Sequence, residues 1–390
     1  MDREEGRAVK AMKINFVTNI AAQEISGGFS GMNAAAFHAM EQIADVNYVG
    51  PISPPVSLTK KALSKAMRLV GIPAEYYFFA DSRLDRIAEE VERFSDKNAD
   101  LDFYHGYTPW IRCRRQRPYV AWCDCSFHDY IHIYHDSSKF SQRDIDRVCR
   151  QEREWLVNAD AILVTSEWQI KRIIERYSLP PDKVRFVGIF GAMEPPERVS
   201  NPSAKDFYFI STNYKTKNGS LCRRAMDIVW RKFPEARLKI VGARPPEEDL
   251  LPDRVTYEGW FRKSDPQQLK ELRRHFASAY ALLLPTDADT TAMTAIEAAM
   301  FGCPAISVDD FALREVTAPE NWKYLMSRPL RAEGIADKMN ELLESDAQYA
   351  SARKCVREFS VNNHTVERFS ERLKDQVLQA MAEAGIRVAV

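Results

Sequence analysis

Short apolar runs alternate with helix-like patterns through most of this chain, and this alternation is the feature that most restricts its fold. In the first half, five runs have the length and composition of buried strands: residues 13–18, 101–105, 118–124, 161–165 and 184–187. An alanine-rich segment from about Met32 and segments near 141–158 and 166–177 have helical patterns. Strands that alternate with helices predict a parallel sheet covered by helices on both faces.

A proline-rich stretch without apolar periodicity, residues 193–202, interrupts the alternation, which then starts again. The later elements are strands at 207–211, 237–241, 255–257, 280–284 and 305–308 and helices near 220–232, 266–277 and 291–301. A length of 390 residues suits two domains better than one core. We therefore predict an α/β protein with two doubly wound lobes, residues 1–195 and 203–364, and a long amphipathic helix over 365–390.

The composition excludes several classes of protein. Lys plus Arg and Asp plus Glu balance at 55 each, so the net charge does not indicate a nucleic-acid partner. No apolar run approaches the roughly 18 residues that span a membrane, and the charged start lacks the apolar segment of a signal peptide. Seven scattered cysteines favour a reducing compartment, and Cys123 and Cys125 lack a second ligand pair for a metal. We expect a cytoplasmic protein.

Residues 284–304 contain the pattern with the clearest chemistry: a strand end, an acidic loop and a helix. Ligands of parallel sheets bind at the carboxyl ends of the strands, so this loop is expected to border the cleft between the lobes. We place Thr290 and Thr291 in the first helical turn, where free N–H groups attract phosphate. Asp289 and Glu297, eight positions apart, would lie about 12 Å apart along a helix, the reach from a sugar past a diphosphate to a ribose.

This segment resembles the retaining glycosyltransferases of family four, also called glycosyl transferases group 1. Members carry two carboxylates eight apart, and the second begins a Glu-Ala pair that a small-Gly-x-Pro sequence follows. Here the pair is Glu297-Ala298, the helix stop is residues 301–304 (FGCP), and Asp289 replaces the first Glu. The resemblance implies that Asp289 positions the donor sugar and Glu297 holds the ribose. An alternative for both is a surface Asp and a Glu on an amphipathic helix.

Residues 207–219 (FYFISTNYKTKNG) resemble the strand and basic loop with which the family clamps the donor diphosphate. Lys217 lies where the family has its Lys. The family's Arg is replaced by Thr212 or Thr216, and Lys215 is a candidate substitute. The resemblance also implies that the loop after Gly259 lies near the nucleobase.

In the first lobe, Gly27 and Gly28 follow the first strand and would let backbone approach a phosphate or an acceptor closely. The strand that ends at His105 resembles the family's strand ending in His, with a purely structural histidine as the alternative. Asp124 ends the next strand and would contact the transferred sugar or orient the acceptor.

The resemblance implies the GT-B fold: two Rossmann-like lobes, a cleft between them and a C-terminal helix that crosses back. It also implies transfer of a sugar, with retention, from a UDP- or GDP-sugar to an acceptor hydroxyl in bacterial polysaccharide or glycolipid synthesis. Lys217 and the helix start would stabilise the leaving diphosphate, so we expect no cofactor and no metal. Two alternatives stay open: a degenerate sugar-nucleotide-binding or regulatory protein, and a sugar-nucleotide epimerase of the same fold.

Two further clusters have uncertain roles at this stage. His128, His132 and His135 would share a helix face, as metal ligands or as part of an acceptor-facing loop, but a plain surface helix is the simpler interpretation. A basic amphipathic segment suits peripheral contact with the inner membrane face and a lipid-linked acceptor, whereas a solvated helix packed on its own lobe is the alternative. Its residues are Lys60, Lys61, Lys65 and Arg68 with Leu63, Met67 and Val70.

Overall fold

The computed structural model describes residues 12–21 and 28–386, and two parallel six-stranded sheets form its framework. The first sheet contains β1 (Lys13–Val17), β2 (Asp45–Val49), β3 (Leu101–His105), β4 (Tyr119–Cys123), β5 (Ala161–Val164) and β6 (Val184–Phe186). The second contains β7 (Asp206–Ser211), β8 (Arg237–Gly242), β9 (Val255–Gly259), β10 (Ala281–Leu284), β11 (Ala305–Val308) and β12 (Leu325–Met326). Residues 187–205 between the sheets contain no helix or strand, and the expected lobe boundaries at 195 and 203 lie there.

The order of the strands shows where each sheet reverses direction. The first sheet has the order β2-β1-β3-β4-β5-β6, and the second has the order β12-β11-β10-β7-β8-β9. The connections therefore change direction between β1 and β3 and between β7 and β10. Loops after neighbouring strands diverge at such a point and leave a crevice at the carboxyl ends of the strands, where ligands of this class of fold bind.

Thirteen α-helices lie in the described part of the chain. In the first lobe they are α1 (Gly28–Glu41), α2 (Leu58–Leu69), α3 (Asp81–Phe94), α4 (Phe127–Ile133), α5 (Gln142–Val157) and α6 (Glu167–Tyr177). In the second they are α7 (Gly219–Val229), α8 (Pro266–Ser278), α9 (Met293–Met300), α10 (Leu313–Val316) and α11 (Ala332–Leu343), followed by α12 (Asp346–Asn363) and α13 (Val366–Glu383). None of these helices is both long and apolar enough to cross a bilayer.

The C-terminal helices tie the two lobes together. Helix α12 packs on the second lobe, where the Ser360 hydroxyl donates to the Ile296 carbonyl at 3.1 Å. Helix α13 then crosses to the first lobe and packs along α1. On α13, the ring of Phe369 lies 5.3 Å from Trp122 of β4 and 4.9 Å from Phe190. The crossing helix expected from the resemblance is confirmed, and the apolar core is continuous from one lobe to the other.

Several elements differ from the sequence prediction. The edge strands β2 and β12 were not predicted, because β2 (DVNYV) is half exposed and interrupted by Asn47, and β12 has only two residues. Helix α1 begins at Gly28 and not near Met32. The terminal helix ends at Glu383, and the last residues of its predicted range, 387–390, lie outside the described residues.

Candidate functional site

Two loops meet where the second sheet reverses direction, one after β7 and one after β10. The Lys217 ammonium donates to Asp289 Oδ2 at 2.7 Å and to the Ala288 carbonyl at 2.5 Å. Next to it, the Asn218 amide donates to the Pro285 carbonyl at 2.9 Å. These bonds hold a mostly buried ammonium and carboxylate together at the carboxyl edge of the sheet.

The prediction that Thr290 and Thr291 form the first turn of a helix is wrong. Helix α9 begins at Met293, and Ala292 before it has a left-handed φ of 51°. The Ala292 N–H donates to Asp289 Oδ1 at 2.7 Å, so the carboxylate closes the turn ahead of the helix. Both threonines therefore lie in the preceding loop, and Thr290 does not share a helix face with Glu297.

Thr290 lies at a contact between the lobes. Its side chain is fully buried, and its hydroxyl is 3.2 Å from Asp124 Oδ2. The hydroxyl of Tyr134, just after α4, accepts from the Thr290 N–H at 3.0 Å and is 2.9 Å from Thr290 Oγ1. Burial raises the pKa of the Asp124 carboxyl, and the Thr290 hydrogen bond opposes that rise. The structure thus brings Asp124 of the first lobe to the loop that carries Asp289.

Glu297 is buried on α9 and receives two donors. The Lys263 ammonium contacts its Oε1, and the Ala192 N–H donates to the same oxygen at 3.1 Å. Ala192 belongs to the segment that joins the sheets, and Lys263 lies in the loop after β9. The sequence analysis did not single out Lys263. It did place the loop after Gly259 near the nucleobase, and Lys263 belongs to that loop.

His105 ends β3 and is fully buried. Its ring stacks on Phe29 at 4.2 Å and lies 5.0 Å from Trp122. Neither ring nitrogen has a hydrogen-bond partner among the described residues, and burial lowers the pKa of His105 to about 3. The imidazole is therefore neutral at physiological pH. Gly28 begins α1 with a φ of 63°, beside Phe29, and Gly27 lies outside the described residues.

Two predicted residues do not join these contacts. Lys215 is exposed, and its ammonium makes no ion pair within residues 12–21 and 28–386. Thr291 is half buried in the loop. Within the same described ranges, no three His, Cys, Asp or Glu side chains are placed to hold a metal, and the rings of His128 and His132 stack on each other at 4.2 Å.

Comparison with known proteins agrees with the motifs in the second lobe. Residues 194–359 match the model of a family described as glycosyl transferases group 1. The second lobe is therefore similar to that of the group 1 glycosyltransferases. The resemblance stated from the residues 284–304 and 207–219 is thereby confirmed. No curated protein sequence matches the chain significantly.

Solved structures with the GT-B fold match between 77% and 95% of the chain. Sucrose-phosphate synthase from Thermosynechococcus elongatus matches with a TM-score of 0.67 and 14% identity, over 95% of this chain and 100% of that one. HepE from Anabaena, solved with UDP and glucose, matches with a TM-score of 0.62 and 12% identity, over 95% of this chain and 100% of that one. TarM from S. aureus matches with a TM-score of 0.56 and 13% identity, over 77% of this chain and 59% of that one. The predicted GT-B fold is confirmed.

Proposed function

We propose that the protein transfers a sugar, with retention, from a nucleoside-diphosphate sugar to an acceptor hydroxyl. The observation that carries this proposal is the Lys217–Asp289 pair at the reversal point of the second sheet, with Asp124 of the first lobe one threonine away. A cation for a diphosphate and a carboxylate for sugar hydroxyls thus lie together where this fold binds ligands. The family match and the relatives solved with UDP support the same conclusion.

Lys217 and Lys263 supply the positive charge that the donor diphosphate needs. Each ammonium rests on a carboxylate, Asp289 or Glu297, and a bound diphosphate would draw both lysines to itself. Asp289 would then be free for hydroxyls of the sugar, and Glu297 for hydroxyls of the ribose. Fixed cations that stabilise the leaving diphosphate take over the role that a metal has in other transferases. We therefore propose transfer without a metal, in which Lys263, and not Lys215, compensates for the Arg that the family has near Thr212.

The first lobe provides polar groups for the sugar and the acceptor. The Asp124 carboxylate now accepts a hydrogen bond from the Thr290 hydroxyl. When that bond breaks, Asp124 would accept one from a substrate hydroxyl instead. The two ring nitrogens of the neutral His105 have no partner among the described residues, and they would pair with a sugar hydroxyl. We propose Asp289, Asp124 and His105 as the residues nearest the reacting sugar, with Gly28 beside them.

We further propose a carbohydrate or a lipid-linked glycan as the acceptor and a bacterial polysaccharide or glycolipid as the product, made in the cytoplasm. Support comes from relatives of the same fold. TarM has been solved with UDP and α-GlcNAc-glycerol, and HepE with UDP-glucose.

A nucleotide screen tests the donor site directly. The thermal stability of the full chain is measured with UDP, GDP, ADP, CMP and dTDP, each with magnesium and with a chelator. A ligand at about 100 times its Kd adds roughly 2.7 kcal/mol, which raises the Tm by a few degrees. One diphosphate is expected to raise the Tm equally in both conditions, and the rise should shrink in Lys217→Ala, Lys263→Ala and Glu297→Ala. Lys338→Ala, on the surface of the same lobe, is the control.

The matching sugar nucleotide then tests the chemistry. Incubation with candidate acceptors should release the nucleoside diphosphate, and NMR of the product should show the anomeric configuration of the donor. A Tm rise without transfer or hydrolysis would indicate the degenerate binding protein instead. No Tm rise with any nucleotide at millimolar concentration would contradict the donor site itself.

A further inference from the structure

A cavity of about 830 Å³ lies in the first lobe, at the edge of the sheet opposite the cleft. Helix α3 forms one wall, residues 112–117 ahead of β4 form another, and Asp102 and Tyr104 of β3 form the floor. Ser95 and Lys97, which also line the cavity, precede β3, whereas the cleft lies where the strands end. The volume is in the range of small-molecule sites. A ligand in this cavity would not overlap the proposed donor site.

Two buried polar groups on the floor have unused hydrogen-bonding capacity. The Tyr104 side chain is 4% exposed, and its hydroxyl bonds to no atom of the described residues. Asp102 is also 4% exposed, and its Oδ1 accepts from Asn15 Nδ2 at 2.8 Å and from the Arg117 guanidinium at 2.7 Å. Its Oδ2 accepts no bond within the described part of the chain. Because buried polar atoms are nearly always hydrogen-bonded, these two are the atoms that a ligand in the cavity would complete.

The two walls of the cavity carry charges of opposite sign. On α3, Asp85, Glu89 and Glu92 follow each other at intervals of four and three, so they share one face of the helix. The facing segment contributes Arg112 and Arg114. Arg112 already pairs with Asp85 at 2.5 Å, whereas Glu89, Glu92 and Arg114 form no ion pair with any described residue. Unpaired carboxylates thus lie on one wall and an unpaired guanidinium on the other.

We propose that this cavity binds a small zwitterion, a molecule with an ammonium and a carboxylate group such as a free α-amino acid. The ammonium would donate to Glu89 and Glu92 on the wall and to Asp102 Oδ2 on the floor. The carboxylate would accept from the Tyr104 hydroxyl and from Arg114, whose planar fork matches two carboxylate oxygens. Both unpaired walls and both free floor atoms then have a partner.

Ligands with one sign of charge complement the cavity less well. Inorganic phosphate would meet Arg114 but would lie among the unpaired carboxylates of α3, and like charges at close range repel. A diamine would pair with Glu89 and Glu92 but would place an ammonium against the guanidinium. The opposite walls therefore select a ligand that carries both charges. This inference concerns a site apart from the cleft and does not depend on the proposed function.

Thermal denaturation and calorimetry of the full chain test the proposal without any measurement of activity. The probes are the free α-amino acids, one at a time at about 10 mM, with inorganic phosphate and putrescine for comparison. At least one amino acid is expected to raise the Tm. Its N-acetyl derivative and its amide each lack one charge, so each should bind at least about tenfold more weakly, because charge-assisted hydrogen bonds are lost.

Charge variants locate the binding site on the two walls. Glu89→Gln/Glu92→Gln and, separately, Arg114→Gln should each raise the Kd of that amino acid by about tenfold or more. The Tm of the free protein should not change in these variants, because the side chains are exposed and form no ion pair within the described chain. Arg93→Gln, on α3 but outside the cavity lining, is the control and should bind like the wild type.

A pair of tyrosine variants tests the floor. Tyr104→Phe should weaken amino-acid binding without lowering the Tm of the free protein, because its hydroxyl has no partner to lose. In the neighbouring Tyr119, the hydroxyl donates to the Trp155 carbonyl. Tyr119→Phe should therefore lower the Tm and leave the Kd unchanged.

Three results would each overturn the proposal. They are the absence of a Tm rise with every amino acid, a Kd that is the same in the wild type and in Arg114→Gln, and a Tm rise with phosphate alone that Arg114→Gln abolishes, since that rise would indicate an anion site. The Tm rise caused by a nucleoside diphosphate in the cleft should be equal in the wild type and Arg114→Gln. Failure of the amino-acid site and failure of the donor site are thus measured separately.

Discussion

Asp289 and Glu297, two of the carboxylates near the cleft, each rest on a lysine from a neighbouring loop. Without these ammonium groups, burial of the carboxylates would be costly. The pairs therefore keep the site stable without a ligand, and the same lysines are the groups that a diphosphate would attract. Under the proposed function, stability of the free protein and binding of the donor would depend on the same charges.

The Lys263–Glu297 pair leads to a stability prediction. Lys263→Met leaves a buried carboxylate with the Ala192 N–H as its remaining donor, so the free energy of unfolding should fall by about 3 kcal/mol. Addition of Glu297→Gln removes the charge and should recover most of that loss. Thermal denaturation of the wild type, of Lys263→Met, of Glu297→Gln and of the double variant measures the coupling energy between the two side chains. Lys338→Met, which breaks an exposed pair with Glu341, should cost less than about 1 kcal/mol. Additive effects of the two cleft changes would contradict the pairing.

The buried His105 makes stability depend on pH. Its pKa is about 3 in the folded protein and 6.5 ordinarily, so below pH 6.5 the unfolded chain binds a proton that the folded chain does not. The contribution of His105 to the free energy of unfolding is complete above pH 6.5. As the pH falls from 6.5 towards 3, the free energy of unfolding decreases by about 1.4 kcal/mol per pH unit. His105→Phe, which keeps a ring between Phe29 and Trp122, should remove this loss. Urea denaturation at several pH values tests it.

His364 supplies the internal control for that experiment. Burial lowers its pKa to about 4, and it is unchanged in His105→Phe, so part of the acid sensitivity should persist in the variant. Identical pH profiles for the two proteins would show that His105 is not buried in its neutral form.

At the scale of elements, the ends of the second lobe's strands approach each other closely. Gly242 ends β8 with a φ of 100°, and a Cβ there would lie 2.2 Å from the Ser211 carbonyl oxygen at the end of β7. Gly242→Ala therefore combines backbone strain with a clash and should cost about 3 kcal/mol. Gly71→Ala, with a φ of 75° and open space, should cost only the strain, about 1–2 kcal/mol. Equal Tm losses for the two variants would contradict the close approach.

The sequence predicts the central elements well and their exact starts poorly. Strand β10 was predicted to within one residue of its observed start, because a fully buried parallel strand is an uninterrupted apolar run. The start of α9 was wrong because a carboxylate three residues away holds Ala292 in a left-handed turn, which no local propensity encodes. Lys263 was missed because its role depends on contact with Glu297, 34 positions away. Strand order was not predicted either, since pairing across a sheet leaves no local pattern.

At the scale of the whole molecule, polar contacts at Thr290 and at Glu315 join the lobes besides the shared core. At Thr290, the Tyr134 hydroxyl accepts from the N–H and the Asp124 carboxylate accepts from the side-chain hydroxyl. The Glu315 carboxylate of α10 accepts from the Glu167 and Trp168 N–H groups at 2.6 Å each, at the start of α6. A carboxylate at a helix N-terminus is stabilised by the helix dipole as well as by the bonds. Both contacts join side chains of one lobe to the other, so they favour the closed arrangement over an open one.

Loss of these contacts should therefore open the molecule. Glu315→Ala removes two charge-assisted bonds and should disfavour closure by about 1.5–3 kcal/mol, and Tyr134→Phe by about 1 kcal/mol. Because every 1.4 kcal/mol is tenfold, the double variant should shift the lobe equilibrium by about a hundredfold or more. Small-angle scattering should show a larger radius of gyration for the double variant, whereas Glu341→Ala, an exposed change on the second lobe, should match the wild type. An unchanged radius in the double variant would mean that the shared core and the Asp124–Thr290 hydrogen bond are enough to hold the lobes together. If the radius does increase, a saturating nucleoside diphosphate that bridges both lobes should reduce it again, because its binding energy would replace the contacts that the substitutions removed.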